Sequence, residues 1–348
     1  MTSKNVLQAV LKQYSINLDN TSITAFGSGL INHTWKVDNV DGSFILQRIN
    51  KNVFKYTDRI DHNLSALNNH FKHSAPDYLF AGPLLTSNGK PSLVFGEDLY
   101  RLQPFIKNSH TIDFVTHADQ AYEAAKQFGK FTRLLNTLPA NELQYSIPDF
   151  HNLTLRMEQF EIALQNAIEE RIVLANAEIH EIKSNQDIAF RYASLVKDQM
   201  ISLRIIHHDT KISNVLLDDN DLGLCVIDLD TVMPGYFISD VGDMMRTYLA
   251  KATEEETDFA KITVRRDIFN SIRKGYMEQM GAELTEVERE LFSYSGRFMI
   301  YMQAVRFLTD FLNRDKYYPV TYPLNNLKRA GNQLTLLKRY RELEEQGF

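Results

Sequence analysis

The chain has 348 residues, with 38 Lys and Arg against 44 Asp and Glu, a net charge of -6 and 44% hydrophobic content. That length and apolar share suit one bilobal unit with two cores and argue against disorder, while the acidic balance disfavours nucleic acid, whose phosphates select a basic face. The opening MTSKNVLQAVLKQYS lacks the apolar stretch of a signal peptide, and no run approaches the roughly 20 apolar residues of a bilayer span, so a cytoplasmic protein with no membrane partner is expected.

Residues 34–40 and 44–49 read as strands joined by the turn residues Asp41 and Gly42, a hairpin signal. A helical pattern follows over 58–71, then short strands at 82–86, 92–95 and 99–102, which makes a five-stranded start. Beyond Gln103 the apolar spacing turns helical, over 112–135, 152–172 and 188–199. The exception is 204–230, where IIHHD, NVLLDDN and LCVIDLD read as short strands around two acidic turns. The tail 337–346 reads as a solvated, mixed-charge helix face. One cysteine, Cys225, precludes an internal disulfide and reads as a buried strand thiol.

The chemistry concentrates in HHDTKISN, residues 207–214, followed fourteen residues after Asn214 by Asp228 in VIDLD. Asp and Asn also cap turns between strands, and a lone Asp-x-x-x-x-Asn would carry little. Here the upstream His207, the flanking strands and the second acidic turn agree in order. Phosphoryl transfer needs a carboxylate near the acceptor hydroxyl and oxygen ligands for a cation on the donor phosphates, and one short loop can supply both.

The pattern resembles the catalytic loop and metal turn of the kinase-like aminoglycoside phosphotransferase and choline kinase superfamily. The resemblance implies an α+β, protein-kinase-like bilobal fold, with a small β-rich nucleotide-binding lobe over 1–106 and a larger, mainly helical catalytic lobe over 107–348. It implies ATP and Mg2+ as cofactors, Asp209 acting on the acceptor hydroxyl, Lys211 offsetting phosphoryl charge, and Asn214 and Asp228 as metal ligands. Asp240 in GYFISDVGDMMR would support the loop as scaffold. FGSGLINHTWKV takes the place of the nucleotide-covering loop, with Gly27 and Gly29 allowing close approach to phosphates beside Asn32. Gln103 to Ile106, including Phe105, would be the hinge that meets adenine.

FILQRIN departs from the family: Gln47 stands where a phosphate-pairing Lys or Arg is usual, and Arg48 follows on the opposite strand face. The next helix has no Glu to complete the usual pair, leaving Asp61 or Asn63 as substitutes. Together with HHDTKISNVLLDD, VIDLDTVMPG and AVRFLTDFLNRDKYY, the chain is most similar to the N-acetylhexosamine 1-kinase branch. That implies a sugar held by Asp209, Thr231, Arg306 and Tyr317 or its neighbour Tyr318, and phosphorylation of the anomeric hydroxyl of N-acetylglucosamine or N-acetylgalactosamine. The rival readings are a kinase for another sugar, an amino alcohol or an aminoglycoside, and a catalytically silent nucleotide-binding module.

Overall fold

The computed structural model describes residues 4–27, 32–50 and 56–347. Helix α1 (Lys4–Lys12) brings Leu7, Val10 and Leu11 onto one face at helical spacing. Strands β1 (Ser22–Ala25), β2 (His33–Asn39) and β3 (Gly42–Ile49) precede helix α2 (Thr57–Ser74), and β4 (Ser92–Phe95) and β5 (Asp98–Pro104) complete an antiparallel sheet of order β1-β2-β3-β5-β4. One sheet face, with Val37, Leu46, Tyr100 and Leu102, closes a small core against α1. The other face opens toward the rest of the molecule.

Five strands are present as expected, but not the expected five. The 82–86 segment is no strand: Pro83 offers no N–H, Leu84 makes one bond to the Leu102 carbonyl at 2.8 Å, and Thr86 bonds locally to Lys90. Its place is taken by β1, which is short and mostly exposed and so carries no alternation signal. The hairpin turn also lies one residue earlier. Asn39 pairs with Gly42, and the Asn39 side-chain oxygen accepts the N–H groups of Asp41 and Gly42 at 2.9 and 3.1 Å, so Val40 and Asp41 form the turn.

Helix α2 belongs to the larger core. Its Ile60, Leu64, Leu67 and Phe71 join that core, and the Phe71 ring stacks on Phe131 at 5.6 Å. The large lobe continues with α3 (Ala118–Leu134), α4 (Leu153–Asn166), α5 (Glu169–Leu174), α6 (Asn176–Ser184) and α7 (Asp187–Lys197). The 112–135 helix starts late, because the chain first forms a bridge between His110 and Leu217, bends at Asp113 and Phe114, and turns helical only after His117, whose backbone is extended. The 152–172 helix is split in two at Ala167 and Ile168, whose backbones are extended.

Two antiparallel pairs follow, one nested in the other: β6 (Arg204–Ile206) pairs with β9 (Met233–Gly235), and between them β7 (Val215–Leu217) pairs with β8 (Gly223–Val226). Then come α8 (Phe237–Tyr248), α9 (Arg266–Met280), α10 (Glu286–Glu290), α11 (Phe292–Leu312) and α12 (Asn325–Glu345). The tail is not wholly solvated. Leu337 and Tyr340 are buried, and the Tyr340 hydroxyl donates to the Ser293 carbonyl at 2.8 Å. Cys225 is buried as expected, and burial pushes its thiol up to about 12. The architecture is the expected α+β one, a small antiparallel-sheet lobe on a mainly helical lobe. Among the described residues no helix is long and apolar enough to cross a membrane.

Candidate active site

The loop after β6 hangs from α8. The Asp240 carboxylate, fully buried in the first turn of α8, accepts the backbone N–H groups of His207 and His208 at 2.9 and 2.7 Å. One turn on, Asp243 accepts the Thr210 N–H at 2.8 Å, and the Tyr248 hydroxyl donates to the Thr210 carbonyl at 2.6 Å. His207 Nε2 lies 2.9 Å from the Ile227 carbonyl and so joins the loop to the second acidic turn. His208 and Asp228 both hold left-handed backbones, at φ 68° and 62°. Such conformations persist where the surroundings over-determine them, and these ties do so.

The loop and the turn bring the predicted chemical residues together. Asn214 Nδ2 donates to the Asp209 carbonyl at 2.9 Å and to its carboxylate at 3.0 Å. Lys211 Nζ lies 3.0 Å from Asp209 Oδ2 and 4.0 Å from Asp228 Oδ2. Burial works against the charge of Asp209, but Lys211, His207 and Asn214 outweigh it and hold the carboxyl below the usual range. Asp228 moves the other way. Although nearly half of its side chain is open to the cleft, the surrounding protein and then the charges of Asp230 and Asp209 push it up to about 7.

Two carboxylates, Asp209 and Asp228, thus face one ammonium, while the third acid of the turn, Asp230, is paired with Arg101. Oxygen donors of this kind suit a hard cation, which the Asp228 carboxylate and the Asn214 amide oxygen could hold. Among the described residues there is no cluster of three His, Cys, Asp or Glu able to hold a metal unaided, so phosphate oxygens and water would complete the shell.

On the small-lobe side, Gly27 has a left-handed φ of 75°, and a Cβ there would meet nothing within 4 Å. Gly29 lies outside the described residues. The Asn32 side-chain oxygen accepts the Asn50 N–H at 2.9 Å, fastening the loop end to the end of β3. Phe105 follows β5; the Phe26 ring meets it edge-on at 5.8 Å and the Lys36 ammonium sits 4.5 Å above its ring. Gln103 shares the open sheet face with Lys36, since Ile45 pairs with both. Arg48 does not join them. It pairs across the ladder with Tyr100 on the α1 face and reaches Asp98 at 3.5 Å, so strand alternation removes it from the nucleotide side.

The sheet cations on the open face are Lys36 and Arg101, which the sequence reading missed. Arg101 is directly opposite Gln47 and also opposite Ser92. Its guanidinium, 2% exposed, pairs with Asp230 in the turn after Asp228. Only a buried Arg across a strand from the expected lysine position could have signalled it, and that needs the register. Of the candidate substitutes for the missing Glu, Asp61 accepts the Ser92 hydroxyl at 2.5 Å, while Asn63 donates to the carbonyls of Gln144 and Val232 at 2.7 and 3.0 Å.

The acceptor residues fall into two groups. Thr231 is beside Asp209's loop, its hydroxyl donating to the His207 carbonyl at 2.7 Å. Arg306 is held between the rings of Phe150 and Tyr318, at 5.5 and 5.6 Å, and donates to Gln303 at 3.2 Å. With Tyr317, Tyr318 and Arg156 it lines a cavity of about 530 Å³. Asp209 and Thr231 are not in that lining. Tyr317 is 70% exposed, whereas Tyr318 is packed against Phe307.

The sequence profile of the phosphotransferase enzyme family matches residues 22–267. The chain belongs to that family. Solved structures share the fold of this phosphotransferase over nearly the whole length of both chains. An aminoglycoside phosphotransferase from Alicyclobacillus acidocaldarius subsp. acidocaldarius DSM 446 is 13% identical at TM-score 0.64, covering 97% of this chain and 95% of its own. A microcompartment-associated aminopropanol kinase is 15% identical at TM-score 0.64, covering 98% of each chain. A spectinomycin phosphotransferase in complex with ADP and spectinomycin is 16% identical at TM-score 0.58, covering 99% of each. Asp209, Lys211, Asn214 and Asp228, which the geometry brings together, all lie within the part of the chain that the family profile matches.

Proposed function

We propose that the protein is an ATP-dependent kinase that phosphorylates the anomeric hydroxyl of an N-acetylhexosamine, N-acetylglucosamine or N-acetylgalactosamine, giving the sugar 1-phosphate. The observation that carries the kinase reading is the convergence of Asp209, Asn214 and Asp228 about Lys211, within 3.0 to 4.0 Å of the ammonium or of one another. The ADP held by the related spectinomycin phosphotransferase supports a nucleotide in the same cleft.

In this reading Asp209, kept ionised by Lys211 and Asn214, orients the acceptor hydroxyl and takes its proton. Lys211 spans the acceptor and metal sides and balances charge on the transferred group. Asn214 and Asp228 would hold Mg2+, which when bound neutralises the donor phosphates. Phe26, Phe105 and the strand edge at Gln103 enclose adenine. No covalent intermediate is needed, since positioning and charge stabilisation suffice for phosphoryl transfer.

The cavity chemistry favours a neutral sugar over a cationic acceptor. Arg156 and Arg306 both line it, and its one carboxylate, Asp310, is engaged by the N–H groups of Lys316, Tyr317 and Tyr318 at 2.8 to 2.9 Å and by Asn326. A cationic amine would find no uncommitted carboxylate in this lining. The forked donors of Arg306 and the rings beside it suit sugar hydroxyl and acetamido oxygens. ADP release measured across free hexoses, N-acetylhexosamines and amino alcohols tests the proposal, with phosphorus NMR to locate the product phosphate. Turnover of amino alcohols but not of N-acetylhexosamines, or phosphate on any hydroxyl but the anomeric one, would refute it.

A further inference from the structure

The usual sheet lysine and helix glutamate are absent from this chain, yet the sheet is tied to the metal turn. Thr34, Gln47, Arg101 and Ser92 form one cross-strand row on the open face. The cation of that row is one strand away from its usual place. Arg101 Nε donates to Ser92 Oγ at 3.4 Å, Ser92 Oγ donates to Asp61 of α2 at 2.5 Å, and the other end of the guanidinium pairs with Asp230. Asp230 is 3% exposed and Arg101 2%, so this ion pair is sealed from water. A sealed pair has one geometry, because each charge has no solvent alternative.

Asp230 is two residues beyond Asp228, in the short helical turn that the left-handed Asp228 begins. The same turn is held from the large lobe, where Ser146 Oγ donates to the Asp230 carbonyl at 2.9 Å. Arg101 supplies the only hold from the sheet among the contacts of the Asp230 side chain in the described residues.

We propose that Arg101 is a positioning residue: through Asp230 it fixes the orientation of the Asp228 carboxylate, and through Ser92 and Asp61 it locks α2 to the same turn. One relay thereby supplies the tie between sheet and helix that a sheet lysine and helix glutamate make elsewhere, without the phosphate contact. Arg101 acts through the protein, not on the phosphates, because its guanidinium is 2% exposed, with Nε on Ser92 and one Nη on Asp230. The inference rests on the proposed nucleotide and metal site.

The test is calorimetry of ADP with and without Mg2+ on the wild type, Arg101→Met, Asp230→Asn and the double variant, with melting temperatures alongside. Arg101→Lys, which keeps the charge, serves if Arg101→Met does not fold. The expected result is a wild type whose ADP affinity rises with Mg2+. Each single variant should lose about ten- to a hundredfold of that rise, as outer-sphere changes do, with metal-free ADP affinity unchanged. The double variant should be no worse than the worse single one. Loss of metal-free ADP affinity in Arg101→Met or Arg101→Lys would mean direct phosphate contact and overturn the inference, as would additive losses. A wild type indifferent to Mg2+ would instead remove the metal site itself, and this role with it.

Discussion

Asn214 grips Asp209 twice, donating from one amide nitrogen to the backbone carbonyl at 2.9 Å and to the carboxylate at 3.0 Å. The carboxylate is thereby aimed by the residue that also offers an oxygen to the metal side, and a change at Asp209 can be read apart from nucleotide binding. Asp209→Asn is expected to lower kcat by ~10²–10⁴-fold, the usual worth of a general base. ADP affinity should stay within about threefold, well under the ~1.4 kcal/mol that a tenfold change represents. Rapid-quench kinetics with calorimetry would show both. A variant that keeps most of its kcat would remove Asp209 from proton transfer.

Gly235 in β9 backs onto the loop. A Cβ there would lie 2.5 Å from His208 Cε1 and 2.6 Å from Nε2, closer than real contacts allow. The His208 ring is 5% exposed, packed by Phe150 and His151 and within 3.2 Å of the Pro234 carbonyl, so it gives way only by breaking those contacts. Gly235→Ala should therefore cost ~1–3 kcal/mol by overpacking and lower kcat as the neighbouring Asp209 shifts. Urea unfolding and steady-state assays check this, and an unchanged kcat would show that Asp209 is insulated from His208.

His208 carries a pH signature. Burial pushes its pKa down to about 4 from 6.5, so the folded state resists protonation. Its contribution is present in full above the unfolded value and is lost as pH falls from about 6.5 toward 4, at ~1.4 kcal/mol per unit or roughly 3 kcal/mol in all. Asp240, pushed up to about 7, acts with opposite sign over the same window, so the comparison has to be with a variant. Urea unfolding of wild type and His208→Gln at several pH values should show the acid loss shrinking in the variant. Parallel curves would contradict the assignment.

Arg306→Ala should raise KM for N-acetylhexosamine about ten- to a hundredfold, the loss of a charge-assisted hydrogen bond of ~1.5–3 kcal/mol. KM for ATP should hold within about twofold, a difference of under ~0.5 kcal/mol, because the proposed nucleotide site is against the small lobe. The stacking on Phe150 and Tyr318 also gives Arg306 a packing role, so melting temperature belongs in the same experiment. A lower melting temperature with unaltered sugar KM would assign it to structure alone.

The catalytic segment was legible in the sequence because its chemistry is local: Asp209, Lys211 and Asn214 lie within six residues, and one short strand pair carries Asp228 back to them. Four of the five small-lobe strands and the lobe types followed from composition and period, whereas β1, short and mostly exposed, did not. What escaped depends on register or on distance along the chain. Arg101 matters because a ladder sets it opposite Gln47 and a fold sets it against Asp230, 129 residues away. Lys36 gains its place only once Phe105 is under it. Arg48 went the other way, since its position next to Gln47 in sequence is what puts it on the wrong face. The division of the acceptor residues between the loop and the Arg306 cavity likewise follows from helix packing that no motif records.

The stacking of Phe71 on Phe131 divides the molecule into different mechanical parts from those that the chain order implies. Helix α2 follows the sheet's first strands in sequence but shares its apolar core with α3, so it belongs to the stationary frame. The sheet with α1 has a core of its own and reaches the larger one through Ile49 and Leu99. In the proposed kinase, opening for nucleotide exchange would then be a lid lifting from a fixed floor, with α2 as part of the floor and Arg101 as the latch between them. Amide hydrogen exchange would show it: α2 should open together with α3, and the interior of β2 and β3 independently of both.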